Sequence, residues 1–115
     1  MRVLCCGDRE WADFNKIVSI LSLLPPDSVI IHGDCRGADS LCGKAGFLLG
    51  FKVEAYPADW KKHGKFAGPV RNREMFAKSH PDFWLAFHSN IAASRGNKDM
   101  VMVLRTNNVK GMIIT

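Results

Sequence analysis

No apolar run in this chain approaches the roughly 18 residues that a membrane span requires. The N-terminus, Met1-Arg2-Val3-Leu4-Cys5-Cys6, meets Gly7-Asp8-Arg9 after too short an apolar stretch for a secretory signal. It reads instead as a first strand, and the cytoplasm is the expected location. No Cys-x-x-Cys occurs among the four cysteines, which argues against a structural zinc site, and no metal is expected. Adjacent Cys5 and Cys6 would point to opposite faces of a strand; with Cys42 they read as buried thiols, and Cys35 as the one near a loop surface. No Lys/Arg block exceeds Lys61-Lys62, and basic and aromatic residues do not interleave along one face. A single-stranded nucleic-acid partner therefore ranks last, despite a net charge of +5 and a pI near 9.2. Repeats and linkers are missing too, so the 115 residues, 47% of them apolar, read as one domain with its own core.

What the chain does have is alternation. Arg2 to Cys6 reads as a buried strand, and Trp11, Phe14, Ile17, Val18, Leu21 and Leu24 then recur at helical spacing until Pro25-Pro26 stops them. Ser28 to His32 is a second strand. Ala38, Leu41, Cys42, Ala45, Leu48 and Leu49 mark a helix ending near Gly50. Phe51 to Tyr56 reads as a strand and Ala58 to Gly68 as a polar loop. Pro69 suits the first turn of a helix reaching about Ser79. Phe83 to His88 is a strand, Ser89 to Asn97 a loop, Asp99 to Asn107 a short helix, and Met112 to Thr115 a last strand. This order predicts an α/β, Rossmann-like fold: a mainly parallel five-stranded sheet flanked by helices on both faces.

In such a sheet, ligands sit beyond the carboxyl ends of the strands. The polar clusters here fall at those ends: Gly7-Asp8-Arg9, His32-Gly33-Asp34-Cys35-Arg36-Gly37, Asp59-Trp60 and His88-Ser89. Gly33 and Gly37 bracket a helix start that offers free N–H groups to an anion, and Arg36 adds a guanidinium. The plainer reading is a strand-to-helix turn capped by Asp39. Trp60 would stack on a base or plug the loop from beneath, and Asp59 would hold a ribose hydroxyl or order the loop. Arg71-Asn72-Arg73 puts cations near a helix N-terminus, which either a bound phosphate or a carboxylate such as Glu74 or Asp59 would explain. Ser94-Arg95-Gly96-Asn97-Lys98 precedes the last helix as a second candidate phosphate cradle, or as a surface loop with Asn97 as the cap.

Together, Gly7-Asp8-Arg9-x-Trp11, His32-Gly33-Asp34-Cys35-Arg36-Gly37-Ala38-Asp39, Pro57-Ala58-Asp59-Trp60, Gly64-Lys65-x-Ala67-Gly68-Pro69-x-Arg71-Asn72-x-x-Met75 and Gly96-x-x-Asp99-Met100 resemble the YspA-like branch of the SLOG superfamily. The resemblance covers nearly the whole chain. It implies a Rossmann-like domain binding a nucleotide or nucleotide-derived molecule, with the first-strand loop, the Arg36-Gly37 turn, Arg71-Asn72 and the Gly96 loop around it. Distant relatives include DprA and the Lonely guy phosphoribohydrolases, whose Pro-Gly-Gly-x-Gly-Thr-x-x-Glu motif matches Ala93 to Met100 here. Asn97 stands at the threonine and Met100 at the catalytic glutamate. A thioether can neither move a proton nor stabilise an oxocarbenium-like charge, which argues against the usual hydrolase.

The expected function is thus binding of a nucleoside phosphate or ADP-ribose-like molecule, as a sensor or sequestering protein. The alternative is a nucleotide hydrolase cleaving an N-glycosidic bond, with Asp59, Asp99 and Arg71 as candidate catalytic residues and Asp8, Asp34, His32, His63 and His88 as further acid–base groups. No cofactor beyond the nucleotide-type ligand is expected. An exposed apolar helix face would support a homodimer or higher homo-oligomer.

Overall fold

A computed structural model describes residues 1–115, the side chain of Ala92 excepted. Five strands, β1 (Arg2–Gly7), β2 (Val29–His32), β3 (Lys52–Ala55), β4 (Phe83–Phe87) and β5 (Lys110–Ile114), alternate with helices α1 (Phe14–Leu21), α2 (Ala38–Leu48), α3 (Trp60–His63), α4 (Ala67–Ser79) and α5 (Arg95–Thr106). The sheet order is β3-β2-β1-β4-β5, and every neighbouring pair is parallel. The chain winds outward from β1 to β3 and then crosses back to β4. The β1–β4 boundary is therefore the point where the winding reverses and the following loops diverge. Among the described residues, no helix is long and apolar enough to cross a membrane.

The continuous apolar run of β1 follows from burial on both faces. Val3 and Cys5 point to one side, where Ile17 and Leu21 of α1 and Cys42 and Ala45 of α2 cover them. Leu4 and Cys6 point to the other, against Met75 of α4 and Met100, Val101 and Leu104 of α5. The central strand β1 thus anchors two helix layers.

Three helix starts differ from the sequence reading, and β5 begins at Lys110 rather than Met112. α1 begins at Phe14, not Trp11: Asp13 caps it by accepting the Lys16 N–H at 3.0 Å. Trp11 stays outside, its ring edge-on to Phe87 at 5.7 Å. The segment read as a polar loop from Ala58 to Gly68 holds α3 and a short 3-10 turn, Gly64–Phe66, and α4 already starts at Ala67. Asp59 caps α3, accepting the Lys62 N–H at 3.1 Å. α5 starts at Arg95, because Ser94 rather than Asn97 is its cap and accepts the Asn97 N–H at 3.4 Å. The stretch read as a preceding loop is therefore the helix's own first turn.

Gly37, at φ +77°, starts α2 where any Cβ would collide with the carbonyl oxygens of Asp8 and Arg9. This contact lets the Ala38 N–H donate to Asp8 O at 3.0 Å and fixes the β1 loop to the α2 start. Gly37→Ala should lower the unfolding free energy by about 1–3 kcal/mol, read by urea denaturation. A neutral substitution would show that the two loops are not locked together.

Candidate functional site

At the carboxyl edge of the sheet a hollow of about 550 Å³ opens between the loops after β1, β2 and β4 and the side of α4. The β1 loop supplies Gly7, Asp8 and Arg9; the β2–α2 connection supplies Gly33, Arg36 and Asp39. Arg71 and Asn72 come from α4, and Ser94, Arg95, Gly96 and Asn97 from the start of α5. These candidates, far apart in sequence, border one space. Asp34 and Trp60 border a smaller side hollow of about 350 Å³ instead. Gly37, Asp59 and Asp99 line neither: Gly37 packs under the β1 loop, and Asp59 is occupied as a helix cap.

Arg71 organises the centre. Its Nη1 donates to Gly33 O and, at 3.4 Å, to Tyr56 O. Its Nε donates to Asn72 Oδ1 at 3.0 Å. Gly33 makes this possible, since a Cβ there would lie 2.7 Å from Nη1. Asn72, only 3% exposed, passes the chain of bonds on: its Nδ2 donates to Asp99 Oδ2 at 3.0 Å and to Gly96 O at 3.3 Å. The Asn97 amide closes the circuit by donating to Gly7 O at 2.8 Å. The ends of β1 and β2, α4 and the first turn of α5 thus share one polar network.

The two cations of Arg71-Asn72-Arg73 have different explanations. Arg73 pairs with Asp99 through two bonds of 3.0 and 3.1 Å, not with Glu74 or Asp59. Burial pushes the Asp99 carboxyl upward, but the bonds from Arg73 and Asn72 outweigh it and hold the group below its ordinary range. As a catalytic candidate Asp99 is thus turned away from the hollow and committed to α4. Arg71 finds carbonyl and amide oxygens but, among the described residues, no carboxylate within salt-bridge distance.

Asp39 is not the cap of α2; it sits in the first turn, where Gly37 takes the cap position without a side-chain bond. Its Oδ2 accepts the Gly33 N–H at 3.0 Å and the Cys35 N–H at 3.4 Å, which shapes the loop. Burial raises its pKa to about 6 against the opposing pull of the Cys35 and Gly33 N–H groups and Arg71. His32, buried and lowered in pKa by that burial, accepts the Asp34 N–H on Nδ1 at 3.0 Å and serves the same loop. Arg36 reaches Glu10 at 2.7 Å, both groups being about three-quarters exposed, so the pair is weak and open to exchange.

Two residues already named in the sequence, His88 and Met100, gain a setting that the motifs did not give. His88 is buried at the hollow's wall; its Nδ1 accepts the Asn90 N–H at 2.9 Å, which puts the ring proton on Nε2, 3.9 Å from Asp8 Oδ2. The apolar run ending at His88 hinted at this, but nothing in sequence joined it to Asp8. Met100, 1% exposed, forms part of the wall, so a thioether stands where the hydrolase resemblance puts a glutamate. Among the described residues no group of three His, Cys, Asp or Glu gathers as a metal site.

The first turn of α5 carries no acidic residue, and among the described residues the Arg95 and Gly96 N–H groups have no acceptor. With Arg9, Arg36, Arg71 and Arg95 against Asp8, Glu10 and Asp39 around the same space, the edge carries a small excess of cations beside this helix start.

A family model described as YspA, cpYpsA-related SLOG matches residues 1–63. The chain is 38% identical over 95 residues to the Gene 61 protein of Mycobacterium phage D29, an alignment spanning 75% of each. The X-ray structure of DNA processing protein A (DprA) from Streptococcus pneumoniae superposes with a TM-score of 0.62 over 96% of this chain, at 15% identity. This chain spans 58% of that protein's length, and the likeness is one of fold.

Because the Asp39 pKa is higher folded than unfolded, its ionisation favours the unfolded chain. Its stabilising contribution is full below about pH 3.8 and is lost as pH rises through about 6. Relative to the wild type, Asp39→Asn should therefore gain on the order of 2 kcal/mol between pH 4 and pH 7 in urea denaturation. A pH-independent difference would contradict the buried-carboxyl account.

Proposed function

The chain belongs to the YspA, cpYpsA-related SLOG family of nucleotide-related ligand-binding domains, and from that premise we propose that it binds a nucleoside phosphate or ADP-ribose-like molecule at the carboxyl edge of its sheet, as a sensor or sequestering protein. One observation carries this reading. The Arg95 and Gly96 N–H groups, without an acceptor among the described residues, belong to the lining of the same hollow as Arg9, Arg36 and Arg71, at the β1–β4 reversal. In this reading the phosphate sits on the α5 start, Asp8 accepts from a sugar hydroxyl, and the Arg71–Asn72 network keeps the cradle rigid.

Gly96 offers a clean probe. A Cβ there meets nothing within 4 Å, and alanine is the better helix former. Gly96→Ala should leave stability equal or slightly higher, yet weaken nucleotide binding because a methyl group stands in the cradle. Arg36→Ala should weaken binding by about tenfold, the loss of one charge-assisted contact. Calorimetry against AMP, ADP-ribose and NAD reads both effects. Absence of binding by the whole set would overturn the proposal.

The facing His88 and Asp8 favour a second reading, hydrolysis of the N-glycosidic bond, with Asp8 as the base for water in place of the absent glutamate. Release of free base from AMP, abolished in Asp8→Asn, would support it. No turnover in the wild type would leave a binding protein.

A further inference from the structure

We propose that the side hollow is a second subsite for the same ligand, and that this ligand is a nucleoside diphosphate carrying a ring group at each end. The proposal rests on the nucleotide reading above. The two hollows share three lining residues, Arg9, Cys35 and Arg36. The shared cations therefore stand at the junction of the two spaces, not at the far end of either. A mononucleotide carries its charge at one end and its ring at the other. A molecule with a pyrophosphate in the middle, one phosphate on the α5 start and the other at Arg9 and Arg36, leaves one ring group to the main hollow and the other to the side hollow.

The far wall of the side hollow is the Trp60 indole. This side chain is 53% exposed at the first position of α3, and among the described residues nothing accepts from its N–H. It is thus neither a plug beneath the loop nor part of the core; a Cβ on Gly68 would lie 3.9 Å from the edge of its ring. A large indole left open beside two guanidinium groups suits a planar heterocycle, which can stack on its face. Asp34 borders the same space, and its carboxylate is of a type that accepts from exocyclic amino or hydroxyl groups. It sits at φ +58°, which holds it at the surface next to the turn.

The sheet sets the reach of the site. Trp60 follows β3 and Gly96 follows β4, with β2 and β1 between them. Three interstrand steps amount to roughly 14 Å along the edge. The anion sites run across this span, with the Gly96 turn at one side, Arg9 and Arg36 in the middle and the open indole at the other.

The test is calorimetry and tryptophan fluorescence with ribose 5-phosphate, AMP and ADP-ribose, on the wild type, Trp60→Ala and Trp60→Phe. Trp84 is 2% exposed and Trp11 packs on Phe87, so Trp60 is the indole open to quenching. We expect the wild type to bind ADP-ribose at least about tenfold more tightly than ribose 5-phosphate, with quenching, the increment the stacked adenine supplies. In Trp60→Ala the ratio should collapse towards one, and Trp60→Phe should restore most of it. An unchanged ratio in Trp60→Ala, or no preference in the wild type, overturns the second subsite and leaves the nucleotide reading standing. Failure of all three probes to bind overturns both.

Discussion

The whole edge of the sheet depends on one side chain, the guanidinium of Arg71. It reaches from α4 across to the end of β2, where it donates to Gly33 O, and sideways to Asn72, which holds the first turn of α5. Three loops that share no local sequence are positioned by this link. Its components are polar and largely buried, so each missing partner would leave a donor or acceptor unsatisfied, at about 1–3 kcal/mol apiece. Such a network is rigid when complete. It holds the first turn of α5 in place at the rim of the hollow.

A helix start without an acid, next to three arginines of which, among the described residues, only Arg36 meets a carboxylate, is an incomplete electrostatic arrangement. The fold tolerates it because Arg9 and Arg36 are exposed and water screens them. A bound anion would complete it and displace little protein structure. Asp39 and His32 contribute differently: both are buried and both spend their acceptors on the main chain of the β2–α2 turn. They act as builders of the cradle, whereas Asp8 and His88 face into the open space.

Much of this was legible in the sequence. Alternating apolar runs and helical spacing gave the β-α order, and the all-parallel sheet then had to carry Gly7, Gly33 and Gly96 at one edge. The hidden parts are those set by contacts across the chain. Arg73 was legible as a cation in need of a partner, but only folding chooses Asp99 over Glu74 or Asp59. Asn72 read as a ligand contact, while its amide is divided between Arg71, Gly96 and Asp99. α3 is a single turn made by the Asp59 cap, too short for any periodicity to reveal. Ser94 and Asn97 are both good caps by type, and the fold decides between them: Ser94 accepts the Asn97 N–H, while the Asn97 amide reaches across to Gly7 O.

The most direct test is amide NMR during titration with ADP-ribose. A ligand held on the α5 start and between the arginines predicts that the Arg95, Gly96 and Gly33–Arg36 amides shift together and saturate at one common affinity, while β5 and the C-terminal end of α2 stay still. Shifts confined to other surfaces, or none at saturating ligand, would contradict the account.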